Sequence, residues 1–266
     1  YETALDKYEA ALRKYKEAKR KFEEGGRSSY VYFSDSVEAT EERIEQVDGF
    51  IERTTDEKKN KETKELLREA KKAKSQSLYD FALVYLDRAK TSAIRSDTLD
   101  DIENEESRVC SLYGETMFKE GLDYEQREDS QMAQQKFDKA ESLLRRSLTL
   151  ESSRETQQKL RLVELKINGN KSLRQAMELE NQALVMNENK QYEKALNIYL
   201  AALTIYKEVK ETYLEGNSGQ QKYFSNSVNV VNEQIKQVEA TIQKTTQRQQ
   251  AKALMKKVKE AMKQRL

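Results

Sequence analysis

The 266-residue chain contains no histidine, no proline and no tryptophan, and it has one cysteine. Without histidine it lacks the commonest general base and metal ligand at neutral pH. Without proline nothing removes a backbone donor inside a helix, so long helices are permitted throughout. The lone Cys110 excludes an internal disulfide. Set among Val109, Leu112 and Tyr113, it reads as a small buried hydrophobe. Neither sign of charge is in excess, with 48 Lys+Arg against 47 Asp+Glu, so no global field selects nucleic acid or an anionic membrane. Mean hydropathy is −0.96, and no run approaches the ~20 apolar residues of a spanning helix. Sustained period-two alternation is missing, and so is a glycine-rich phosphate loop.

What remains is helical. Charged residues make up 36% of the chain; low hydropathy of this kind can accompany disorder, but the apolar residues here recur at helical spacing. The chain also repeats itself. Residues 1–75 align without a gap on 192–266, every pair 191 positions apart (192 − 1), with about 40% identity. Tyr1, Ala4, Leu5, Tyr8, Ala11 and Tyr15 return as Tyr192, Ala195, Leu196, Tyr199, Ala202 and Tyr206. Tyr32-Phe33-Ser34 returns as Tyr223-Phe224-Ser225, and Thr54-Thr55 as Thr245-Thr246. The sequence reads as about one and a third units of a longer tandem array. It opens at Tyr1, inside a repeat, and specifies no compartment.

Three windows share one spacing. Met117, Gly121 and Tyr124 precede Ala133, Phe137 and Ala140; Leu66, Ala70 and Ala73 precede Ala82, Leu86 and Ala89; Leu179, Ala183 and Met186 precede Ala195, Tyr199 and Ala202. Two helices cross closely only where side chains are small, so Gly121, Ala70 and Ala183 are expected to face Ala133, Ala82 and Ala195. The pattern resembles the tetratricopeptide repeat, a 34-residue pair of antiparallel helices. It departs from that family in having Met or Leu for the Trp of position four and no terminal proline. The resemblance implies an all-α, right-handed superhelical solenoid of helix pairs near 63–96, 114–147 and 176–209. Residues 1–62 would be a second helix plus a long inserted helix, and 192–266 would duplicate 1–75 and end in an unpaired first helix.

The windows lie more than 34 residues apart, so extra helices are expected between them. One begins after Gly25-Gly26, and its copy after Gly216-Asn217, with these glycines supplying left-handed helix ends. Val37, Ile44, Val47 and Ile51 mark one face of it, repeated by Val228, Ile235, Val238 and Ile242. Another is expected from Ser152 to Ile167, closed by Gly169-Asn170, and a third start at Ser96-Asp97. The Tyr-Phe pairs read as staples at a helix entry. Apolar stripes should stand exposed at both ends, with Ala4, Leu5, Tyr8, Ala11, Leu12 and Tyr15 at one and Leu254, Val258, Ala261 and Met262 at the other. Head-to-tail self-association is the expected consequence.

No catalytic, cofactor or metal site is expected. The acidic run 100–106 lacks the alternating ligands and central glycine of a calcium loop and reads as a solvated helix start. Arg13, Lys14, Lys16, Lys19, Arg20 and Lys21 form one basic cluster, and Lys252, Lys256, Lys257, Lys259, Lys263 and Arg265 another. In the repeat family the concave wall comes from first-helix positions two, five, nine and twelve. Carried over, these are Lys64, Leu67, Lys71 and Lys74; Glu115, Phe118, Leu122 and Glu125; and Met177, Glu180, Leu184 and Asn187. Leu67 stands where a carboxylate clamp would need Asn or Lys, which argues against a receptor for C-terminal tails. The expected function is a non-catalytic scaffold that docks protein or peptide partners. The alternatives are a basic-surface binder of nucleic acid or anionic lipid, and a structural spacer of an extended assembly.

Overall fold

A computed structural model describes residues 1–26, 34–218 and 222–263. Among these the chain is all-α. The helices are α1 (Glu2–Gly26), α2 (Ser34–Ser75), α3 (Tyr79–Ser92), α4 (Ser96–Gln126), α5 (Ser130–Leu150), α6 (Arg154–Glu188), α7 (Tyr192–Gly216) and α8 (Ser225–Lys263). The chain divides into two compact units, Tyr1–Cys110 and Ser111–Leu266.

The extra helical material is present but is not separate. Thr63 lies inside α2, Gly114 inside α4 and Ala176 inside α6, so each expected first helix is the C-terminal part of a longer one. The expected break at Gly169-Asn170 does not occur, and α6 runs through it for 35 residues. The expectation that Gly216 ends its helix in a left-handed conformation is also corrected: no described glycine has positive φ. Gly216 and Gly169 are there for space. A Cβ on Gly216 would lie 2.0 Å from the Phe224 ring, and one on Gly169 would lie 2.3 Å from the Tyr213 ring. A helix tolerates an isolated glycine at a cost of about 1 kcal/mol, and here the close ring contact compensates.

The left-handed residues are instead Ser77, Glu128 and Lys190. Each occupies the same place between paired helices, and the hydrogen bonds repeat with it. Leu78 N donates to Ala73 O, Asp129 N to Tyr124 O, and Gln191 N to Met186 O, at 2.9, 3.0 and 2.9 Å. These are Schellman-type closures of the preceding helix. Counted from each turn, the small and aromatic residues fall in one register. Ala70, Ala82, Leu86 and Ala89 are fully buried in the first unit; Ala133, Phe137, Ala140, Ala183, Ala195, Tyr199 and Ala202 are buried in the second. A Cβ on Gly121 would come within 2.5 Å of the Phe137 ring, which is why that position is glycine.

In the first unit α2 packs against both α1 and α3. Its core gathers Ala70, Ala73, Ala82, Leu86, Ala89, Ile102 and Val109. Two acids of the run 100–106 do not face solvent as expected. Glu105 and Glu106 are 3% and 2% exposed, and they meet Lys74 at 2.5 Å and Lys90 at 2.6 Å. Helical spacing places them on the inner side of α4, where a carboxylate is tolerated only when paired. Cys110 is buried, as its neighbours suggested.

In the second unit α6 packs on α5 and α7, and α7 on α8. Asp129 caps α5 by accepting from Met132 N, and Ser153 caps α6 by accepting from Thr156 N. Phe224 is fully buried against Gly216, Tyr213 and Phe118, and its amide donates to Asn217 Oδ1 at 2.7 Å, so this pair does anchor the entry to α8. The earlier copy, Tyr32-Phe33, lies outside the described residues.

Candidate functional site

The most developed polar site lies within the second unit and is built on α6. Lys166 is 1% exposed, and Lys166 Nζ sits 2.6 Å from Glu125 Oε2 on α4. It donates to Ser227 Oγ of α8 at 2.6 Å. The same ammonium lies 4.6 Å from the Tyr213 ring and 5.6 Å from the Phe224 ring. One turn along α6, Asn170 Nδ2 donates to Glu125 Oε1 at 3.1 Å while its Oδ1 accepts from Tyr213 OH at 2.6 Å. Four helices thus contribute to one closed network. A buried ammonium is costly, and here a carboxylate, a hydroxyl and two ring faces replace its water. Burial still holds the Lys166 ammonium below the ordinary lysine range, with Glu125 opposing. Burial pushes the Tyr213 phenol well above its ordinary value, and the Glu125 charge adds to that.

The network forms one wall of an open groove of about 730 Å³. Leu173, Met177 and Val230 supply apolar lining, and Gln126, Glu128 and Asn226 supply polar edges. Met177 and Val230 are 47% and 54% exposed. Because Lys166 neutralises Glu125, Glu128 is the uncompensated charge among the lining residues. The groove therefore offers apolar contact beside a rigid polar wall with an acidic edge. A smaller cavity of about 260 Å³ in the first unit is lined by Arg53, Asp56 and Asn60 of α2 and by Ile94, Arg95 and Thr98. Its mixed charges converge on no reacting group. Among the described residues no cluster of three or more Cys, Asp or Glu is placed to hold a metal ion. No described helix is long and apolar enough to cross a membrane.

The twelve carried-over positions fall into two groups. Lys64, Lys71, Met177 and Leu184 stand exposed. The others are engaged internally to different degrees. Leu67 packs against the first core, and Lys74 is committed to Glu105. Phe118 is buried beside Phe137, Tyr223 and Phe224, and Leu122 is half-buried. Glu115 is held between Lys119 at 2.7 Å and Lys159 at 2.9 Å. Burial pushes its carboxyl up, but those two lysines outweigh burial and leave it below the usual range. Glu125 belongs to the Lys166 network, and Glu180 accepts from Tyr206 OH at 2.9 Å. Asn187 is buried beside the Tyr199 phenol. Only Glu125 and Met177 of the twelve line the large groove.

Sequence reasoning did not single out Lys166, Asn170 or Tyr213. The signal was present: Lys166 sits three residues after Val163 and three before Gly169, both buried on the same helix face. A lysine on an apolar stripe calls for a buried partner. Compared with protein-family models, with curated proteins and with solved structures, the chain matches none of them.

Proposed function

We propose that this chain is a non-catalytic protein–protein interaction scaffold, built from tetratricopeptide-like helix pairs that continue as a right-handed solenoid. The observation that carries the reading is the threefold recurrence of one hairpin. Ser77, Glu128 and Lys190 hold the same left-handed turn in the same register with the small-residue crossings. Repetition of a packing unit, without convergence on a reaction centre, suits a protein whose product is surface. The groove of the second unit is the docking place. Its partner is an extended or helical protein segment with apolar side chains toward Leu173, Met177 and Val230 and a basic side chain toward Glu128. Display selection of peptides on the wild-type chain tests this, with Met177→Glu/Val230→Glu as the counter-selection. Enriched peptides should share spaced apolar residues with a basic one and lose binding to the double variant. Failure to enrich any such peptide, or equal binding to the variant, would refute it.

A second reading is favoured by the end of α8, where residues 251–263 are all exposed and Lys252, Lys256, Lys257, Lys259 and Lys263 stand against Glu260 alone. Binding of nucleic acid or anionic lipid there would be steeply salt-dependent and abolished by reversing those lysines.

A further inference from the structure

The two α1-type helices of this chain are alike in sequence and differ in what covers them. In α7, Tyr199 and Tyr206 are 1% and 0% exposed, because α6 lies on one side and α8 on the other. Tyr206 OH reaches across to Glu180 of α6. In α1, which carries the same residues 191 positions earlier, Tyr15 is 37% exposed, and Ala4, Tyr8 and Ala11 are only half-buried. Helix α2 takes the place of α8 there, stacking Phe50 on Tyr8 at 5.6 Å, but among the described residues no helix packs on α1 as α6 does on α7. The complementary surface is on α8. Leu254, Val258 and Met262 are 62, 57 and 64% exposed, and residues 251–263 are all exposed, with Lys252 reaching back to Lys190 O at 3.0 Å. In the hairpin register, Ala261 stands where Ala183 stands on α6, and Ala4 stands where Ala195 stands on α7. The chain therefore displays the two halves of one hairpin on two separate helices.

We propose that these two faces bind each other between copies of this chain. The 254–263 face of α8 in one copy docks antiparallel on the Ala4–Tyr8–Ala11–Tyr15 face of α1 in a second copy. Ala261 packs against Ala4, and Val258 lies toward Tyr15 as Glu180 does toward Tyr206. The occupant is specified by the α6–α7 contact inside the same chain, which shows what this sequence pattern buries itself against. Charge is mixed along the contact. Antiparallel docking sets Lys263 near the start of α1, which carries Glu2 and Asp6 with Lys7, and sets Lys256 and Lys257 beyond Tyr15, beside Lys16 and Glu17. Glu2 is 82% exposed and pairs with Lys58 at 2.9 Å. The contact is heterologous, so each copy keeps one unused face at either end and the association is open-ended.

Sedimentation velocity from micromolar to millimolar concentration, on the whole chain, tests this. Wild type is expected to show a weight-average mass that climbs past two chains. Val258→Glu and Tyr15→Glu are each expected to stay monomeric with unchanged far-ultraviolet circular dichroism; Leu254→Glu serves in place of the first if helicity falls. Mixing the two singly blocked variants leaves one good α8 face and one good α1 face, so the mixture should form a dimer and stop there. Ala261→Leu adds apolar surface yet should weaken association about tenfold or more, because the close crossing needs a small residue. A monomeric wild type overturns the proposal, as does a monomeric mixture. Association of Tyr15→Glu alone would mean a symmetric α8–α8 contact. Strengthening by Ala261→Leu would mean indiscriminate hydrophobic contact. A monomer that instead sediments with anionic vesicles or nucleic acid would mean the α8 face serves those ligands. Each of these results overturns the docking proposed.

Discussion

Gly169→Ala is the most informative single substitution, because helix propensity and packing predict opposite signs. Gly169 lies in the middle of α6 with helical backbone. On propensity alone, alanine there would stabilise by about 1 kcal/mol. Packing opposes it: the new Cβ would lie 2.3, 2.8 and 3.1 Å from three atoms of the Tyr213 ring. Carbon atoms rest at about 3.5–4.0 Å, so the ring or the helix has to give by more than ~1 Å. The ring is poorly placed to move, since its hydroxyl is bound to Asn170, its face lies against Lys166 and it packs at a tilt on Phe224. Overpacking of this kind costs about 1–3 kcal/mol, and the restraints argue for the upper part of that range. The net expectation is a loss of roughly 2 kcal/mol, which for a unit of this size corresponds to about 4–8 °C in Tm. Urea and thermal unfolding followed by circular dichroism give both numbers. Gly49→Ala is the internal control: nothing lies within 4 Å of its Cβ position, so it should stabilise by up to about 1 kcal/mol. A Gly169→Ala protein as stable as wild type or more so would refute the claim that this glycine exists to admit Tyr213.

Other consequences can be checked in the same assays. Glu125→Ala leaves the Lys166 ammonium buried without its carboxylate and should cost roughly 2–3 kcal/mol, discounted because Glu125 is a third exposed; Lys166→Met should cost less than about 1 kcal/mol in urea titration. Lys190→Gly should stabilise by about 0.5–1 kcal/mol, since a left-handed conformation is costly for any residue with a Cβ, and Ser77→Gly and Glu128→Gly should follow. Tyr206 and Tyr213 titrate above their ordinary value because they are buried, Tyr206 also facing Glu180 and Tyr213 the Glu125 charge. The unfolded chain then releases those protons first, so their contribution is intact below pH of about 10 and is lost as pH rises above it. Unfolding free energy measured across that range should fall, and the fall should shrink in Tyr206→Phe.

The helical class, the duplication and the hairpin register were legible in the sequence because they rest on local rules. Absence of proline, helical spacing of apolar residues and small residues at fixed offsets constrain backbone and packing within a few turns. Ala70, Ala82, Ala133, Ala183 and Ala195 are buried where that spacing put them. The open face on α8 was also legible, since a repeat pattern states what each half of a hairpin requires; on α1 the expected stripe is exposed at Tyr15 and half-buried elsewhere. The helix end at Gly216 and the helix start at Ser96 were legible too, but the run of α6 through Gly169 was not. Gly169 looked like a terminator, because glycine commonly ends helices, and only the position of the Tyr213 ring reveals that it makes room instead. Likewise the acidic run looked solvated until the sides of α4 were assigned, and Lys74 and Lys90 turned out to neutralise Glu105 and Glu106. The network around Lys166 joins residues 125, 166, 170, 213 and 227, which no short-range pattern relates. Spacing along a helix fixes which side a residue takes, whereas the partner that makes a buried charge tolerable comes from another helix. That pairing is decided only when the helices pack.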